Sequence, residues 1–148
     1  MYKKILVATD GSDLAKDVIE CAAASAEKWE AHLLILTVVP PSPSISFTDV
    51  CECTYNCDTE YDEVIMSYHL AVLDDAKRSL KEKHPKLSVS TQIKKGDAAA
   101  QILAVSEEAE VDLIVIGNRG QSGLTGWFLG GVTNYVVSHC KKPILIVK

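Results

Sequence analysis

The residues best suited to hold an anion are glycines. Six of the eight fall between Gly117 and Gly131, directly after the apolar stretch Asp112-Leu-Ile-Val-Ile116 and before the helical pattern Val132-x-x-Tyr135-Val136-x-x-His139. Glycine admits positive φ and lets a backbone approach a ligand with no Cβ in the way. A β-branched strand, a glycine loop and a helix, in that order, aim the first helical amides and the helix dipole at a phosphate. The alternative is a flexible linker, but here the run leads into a helix and then a second apolar strand, Pro143-Ile-Leu-Ile-Val147. Within the loop, Arg119 and Ser122 are candidates for phosphate contact or simply exposed polarity. Trp127-Phe-Leu129 suits packing under the loop, or a contact patch where exposed.

Two other sets of side chains have chemical potential. Asp10 follows the apolar opening Lys4-Ile-Leu-Val-Ala-Thr9 and is either a ligand near metal and phosphate or a turn residue and helix cap. Cys51, Cys53 and Cys57 place three thiols within seven residues, beside the acids Asp49, Glu52 and Asp58. Such thiols can bind Zn²⁺, although a structural site wants four ligands and the usual Cys-x-x-Cys knuckle is absent. Redox chemistry, with Cys57 the better placed disulfide partner, and no specific role are the other readings. Signatures of efficient catalysis are missing. Gly120-Gln-Ser122-Gly123-Leu124 is not a Gly-x-Ser-x-Gly elbow, and Gly131-Val132 supplies neither the Lys nor the hydroxyl of a Walker loop. His32, His69, His84 and His139 have no metal-ligand spacing, and His139 suits dipole compensation at a helix end.

The elements that must position these residues can be read from apolar periodicity. After the first strand, Asp10-Gly-Ser-Asp13 forms a turn in which Ser12 or Asp13 caps a helix whose buried face is Leu14, Val18, Ala22, Ala26 and Trp29. His32 to Val39 is a second strand, apolar enough to be buried on both sides. An irregular stretch with three prolines follows from Pro40 to about Thr59. A long helix, marked by Tyr61, Val64 or Ile65, Tyr68, Val72, Ala76 and Leu80, ends before Pro85. Leu87 to Ile93 alternates like an edge strand. Gly96 and Asp97 then open a helix with Ala99, Ile102, Ser106 and Ala109 on one side.

At 148 residues, 47% hydrophobic and 24% charged, the chain fits one α/β domain over residues 1–148. Regular alternation predicts an open parallel sheet with helices on both faces and a ligand crevice beyond the strands' carboxyl ends. If the first and fourth strands are neighbours, Asp10 and Gly117 share that crevice. A net charge of -5 and scattered lysines argue against nucleic acid. No apolar run approaches membrane-spanning length, and the opening apolar run is too short for a signal-peptide core, so a cytoplasmic location is expected. The five cysteines, an odd number, do not form a secreted disulfide framework.

Assembled in order, these residues resemble the universal stress protein family over nearly the whole chain. The resemblance rests on Gly117-x-x-Gly120, nine residues and Gly130, on Ile5-Leu-Val-Ala-Thr-Asp-Gly-Ser12, on Lys95-Gly-Asp97, on Asp112 to Gly117, and on Val132-Thr-Asn-Tyr-Val-Val-x-His139 followed by Pro143 to Lys148. It implies an adenine nucleotide alpha-hydrolase-like fold, a five-stranded parallel sheet in the order 3-2-1-4-5, commonly dimeric through the last strand. It also implies ATP, or AMP or ADP, in the crevice. Carried over by position, Val38 lies near the adenine, Asp10 near the phosphates or Mg²⁺, and Gly117, Gly120, Gly130 and Val132 along the phosphate and ribose path. Ala8, Thr9, Arg119 and Gly131 complete the expected cofactor-binding set, with no catalytic residue assigned.

The chain departs from the pattern at Gly131, where the family usually has Ser or Thr. Losing that hydroxyl removes one phosphate hydrogen bond, roughly 0.5 to 1.5 kcal/mol. The expected function is an ATP-binding regulatory stress protein, a cytoplasmic homodimer with an unidentified protein partner. The alternatives are a dimeric interaction module without nucleotide and a slow Mg-dependent ATP hydrolase. The cysteine-bearing segment is expected to be a lid or partner-facing loop, since it follows the second strand's carboxyl end and exceeds the usual connection length.

Overall fold

The computed structural model describes residues 1–41, 57–118 and 130–148. Among them strands and helices alternate: β1 (Lys4–Ala8), α1 (Asp13–Trp29), β2 (His32–Val39), α2 (Cys57–Lys83), β3 (Val89–Lys95), α3 (Ala98–Glu108), β4 (Leu113–Gly117), α4 (Gly131–His139) and β5 (Ile144–Val147). The strands form one parallel sheet in the order β3-β2-β1-β4-β5, as expected. β1 is central, with Ile5 opposite Leu33 on one side and Leu113 on the other.

Side chains alternate across the sheet. Ile5, Val7, Leu33, Ile35 and Val115 pack on one face against Val18 and Ala22 of α1 and Leu73 and Leu80 of α2. Leu6, Leu34, Leu36, Ile114 and Ile116 pack on the other against Ile102 and Val105 of α3 and Val136 of α4. Burial on both faces explains the unbroken apolar runs of β1, β2 and β4. β3 lies at the sheet edge and is only partly buried, matching its alternating sequence.

Three expectations need correction. α2 starts at Cys57, so the helix takes up residues expected to be irregular through about Thr59. Leu80 is buried as its spacing suggests and Ile65, Val72 and Ala76 are half-buried, whereas Tyr68 is 45% exposed and Val64, the alternative to Ile65, is 63% exposed; His69 and Leu73 are the helix's other buried residues among those described. His69, next to Tyr68, takes the inward position at that turn of the helix. His69 is made tolerable there by Thr37, whose Oγ1 lies 2.8 Å from Nδ1. Finally, Trp29 is partly exposed at the end of α1, where it meets Tyr2 edge-on with Lys28 near its ring. An indole at a helix end is amphipathic enough to sit at the surface.

Candidate functional site

At the carboxyl end of β1 the chain leaves the sheet through a tightly bonded turn. Thr9 extends the ladder by one bond, its amide donating to the Leu36 carbonyl at 2.9 Å. Ser12 N–H donates to Asp10 Oδ1 at 2.9 Å, and Gly11 N–H to Thr9 Oγ1 at 3.3 Å. Gly11 has φ +80°, a conformation that favours glycine. Ser12 caps α1, its Oγ accepting from Ala15 N–H at 3.3 Å. Of the alternatives for Asp10, the turn role is therefore realised, while helix capping belongs to Ser12. Asp10 also lines a crevice, so its turn role leaves it beside whatever binds there.

The opposite wall comes from β4 and α4. Thr133 Oγ1 donates to the Gly117 carbonyl at 2.6 Å, drawing the start of α4 against the end of β4. Asn118 N–H donates to Val147 O at 2.9 Å and Gly130 N–H to Asn118 O at 2.8 Å, so the glycine loop is held together at its neck. Gly130 caps α4 with no side-chain hydrogen bond. Among the described residues the amides of Gly131, Val132 and Thr133 have no acceptor, and as the first amides of α4 they are suited to an anion, with the helix dipole behind them.

Between the two walls lies a crevice whose floor is apolar, with Leu36, Val38, Ile102 and Ile116, and whose rim carries Thr9, Asp10, Ser12 and Thr133. A flat apolar base with a charged tail matches that division of chemistry. Of the expected binding residues, Ala8, Thr9, Asp10, Val38, Gly117 and Val132 line this one space. Gly130 and Gly131 begin the helix that carries Val132. Arg119 and Gly120 lie outside the described residues, as do Cys51 and Cys53; Cys57 begins α2, and its side chain is also outside them. Among the described residues no three His, Cys, Asp or Glu side chains gather to hold a metal, and Asp10 is the carboxylate among the residues that line the crevice.

Sequence reasoning missed several contributors. Thr133 closes the neck through a contact that no local spacing announces. Ala98 and Ile102 of α3 also line the crevice; the helix pattern marked Ile102 as buried, but not against a ligand space. Behind the turn, burial lowers the pKa of His69 below its usual value, partly opposed by the negative charge of Asp10. The ring is consequently neutral at physiological pH.

No helix among the described residues is long and apolar enough to cross a membrane. A family model described as the universal stress protein family matches residues 1–148. The chain is similar to universal stress protein YxiE of Bacillus subtilis (strain 168), 33% identical over 150 residues with all of both chains covered. Among solved structures it is similar to universal stress protein UspA from Lactobacillus plantarum, with TM-score 0.80, 26% identity and coverage of 99% of this chain and 98% of that one. A universal stress protein in complex with cAMP aligns with TM-score 0.71 and 25% identity over 99% of this chain and 97% of that one. Sequence match, sheet order and crevice agree: the chain belongs to the universal stress protein family.

Proposed function

We propose that the protein is a regulatory ATP-binding member of its family, taking the adenine on the apolar floor beside Val38 and the phosphates toward the start of α4. The observation that carries this reading is the convergence of Ala8, Thr9, Asp10, Val38, Gly117 and Val132 on one crevice. The cAMP complex of a structural relative supports an adenine nucleotide as the ligand. Mg²⁺ would arrive with the triphosphate and be met by Asp10. The working form is a single-domain cytoplasmic homodimer joined along β5, where an apolar edge strand would otherwise leave backbone groups unpaired.

Gly131 favours a second reading, a dimeric module that binds no nucleotide, because it supplies no hydroxyl beside the α4 amides. Calorimetry with ATP, AMP and cAMP, each with and without Mg²⁺, separates the two. Saturable binding strongest for ATP with Mg²⁺ is expected. No heat with any of them at millimolar nucleotide would establish the empty module.

A further inference from the structure

The turn from Thr9 to Ser12 has two sides. Thr9, Asp10 and Ser12 line the crevice. The other side is covered by α2: a Cβ placed on Gly11 would lie 2.8 Å from Tyr68 Oη and 2.8 Å from Val72 Cγ2. Between those residues, buried His69 meets Thr37 of β2. That strand also receives the Thr9 amide. Among the described residues α2 contributes nothing to the crevice wall. It nevertheless forms, with α1, a separate groove that shares Thr9, Ser12 and Ala15 with the crevice and includes Val72.

We propose that Tyr68 and Val72 are positioning residues for the nucleotide, setting the shape of the β1–α1 turn from outside the site and passing its occupancy to α2. The inference rests on the adenine nucleotide reading above. Its physical basis is the lack of slack. Gly11 leaves no room for even a methyl group against Tyr68 and Val72, so α2 touches the turn backbone itself. The bonds from Ser12 to Asp10 and from Gly11 to Thr9 make the turn one unit. A ligand that moves Asp10 must therefore move Gly11, and close-packed contacts hand the displacement to the helix. Coupling of binding equilibria is reciprocal, so loosening α2 must change nucleotide affinity by the factor with which nucleotide changes α2.

The experiment uses the full chain with ATP and Mg²⁺ as the probe, read by calorimetry and by amide hydrogen exchange. In the unaltered protein, ATP with Mg²⁺ should slow exchange in α2 around residues 65–73, although this helix lies outside the crevice wall. Val72→Ala should weaken binding by roughly fivefold or more, the lower end of ordinary coupling between sites. Val72→Thr, which keeps the branched shape and places its hydroxyl where Cγ2 meets Gly11, should largely restore it. Val64→Ala, on the exposed side of the same helix, should bind as the unaltered protein does. If Val72→Ala fails to melt cooperatively, Tyr68→Phe removes only the hydroxyl beside Gly11 and should weaken binding in the same direction. Nucleotide-independent exchange in α2, or a folded Val72→Ala or Tyr68→Phe variant of full affinity, overturns the coupling alone. Failure of the unaltered protein to bind adenine nucleotide overturns the site assignment and the coupling with it.

Discussion

Among the described residues a Cβ added at Gly131 would meet nothing within 4 Å, so none of them obstructs the family's usual hydroxyl residue. Gly131→Ser should tighten ATP binding by up to about tenfold, the upper range of one ordinary net hydrogen bond. It should not lower the melting temperature, since serine is also the better helix former. Calorimetry on the variant decides it, and unchanged affinity would mean that the hydroxyl does not reach phosphate. His84 makes a different prediction. Its Nδ1 lies 2.9 Å from Glu27 Oε2 and its Nε2 3.5 Å from Glu20 Oε2, both carboxylates on α1. A neutral ring has one N–H, so only the imidazolium can serve both. The bond to Glu27 leads the causes that raise the pKa above its usual 6.5; desolvation opposes it, and the Glu20 bond and the charges of both acids add to it. Because the folded value is the higher one, the stabilisation is full below the unfolded pKa and is lost as pH rises through the folded pKa. The melting-temperature advantage of the unaltered protein over His84→Gln should therefore be largest near about pH 5.5 and shrink toward about pH 8.5. An advantage that grows with pH would contradict the imidazolium assignment. Neither Glu contact was legible in sequence, because the partners are brought together only when α1 packs beside the end of α2.

At the scale of elements, α2 shows both the reach and the limit of periodicity. β2 was legible to the residue, since a run buried on both faces is apolar throughout. The long helix was legible in type, in its end and in most of its packed side, through Ile65, Val72, Ala76 and Leu80, but not at Tyr68. Counting apolar residues passes over His69, which is buried because Thr37 supplies a hydrogen-bond partner from another element. The packed side predicts where truncation hurts. Leu80 is fully buried against the α1 face of the sheet. Leu80→Ala should cost about 2 to 5 kcal/mol in urea unfolding, by lost transfer energy and a residual cavity. Val64→Ala, by contrast, should change stability by less than about 0.5 kcal/mol, as surface substitutions usually do. Equal losses at both positions would put Val64, rather than Ile65, on the packed side of the helix. The crevice was partly legible for the same reason: strand ends and glycine spacing lie along the chain. The Thr133 bond to Gly117 and the α3 wall arise from packing across it.

For the whole molecule, the open question of assembly has a direct test. β5 ends the sheet, and Leu145 on it is 36% exposed, with Tyr135 and Val137 of α4 also uncovered. A second copy along this edge would pair the strand and cover those side chains. Light scattering at tens of micromolar should give a dimer mass for the unaltered protein and a monomer mass for Leu145→Asp, with nucleotide affinity retained. A monomer mass for the unaltered chain would remove the edge from consideration. The sheet order also bears on how the chain comes into being. Central β1 finds β2 early, but its other neighbour is β4, where Ile5 meets Leu113 more than a hundred positions later. Parallel pairing at such separation is slow to form, and loop closure comes before the contacts that reward it. During synthesis, β1 must therefore wait with one hydrogen-bonding flank bare until Leu113 to Gly117 has left the ribosome. Through that interval the nascent chain offers an apolar strand edge to any stray β-segment, an aggregation hazard that comes with this strand order.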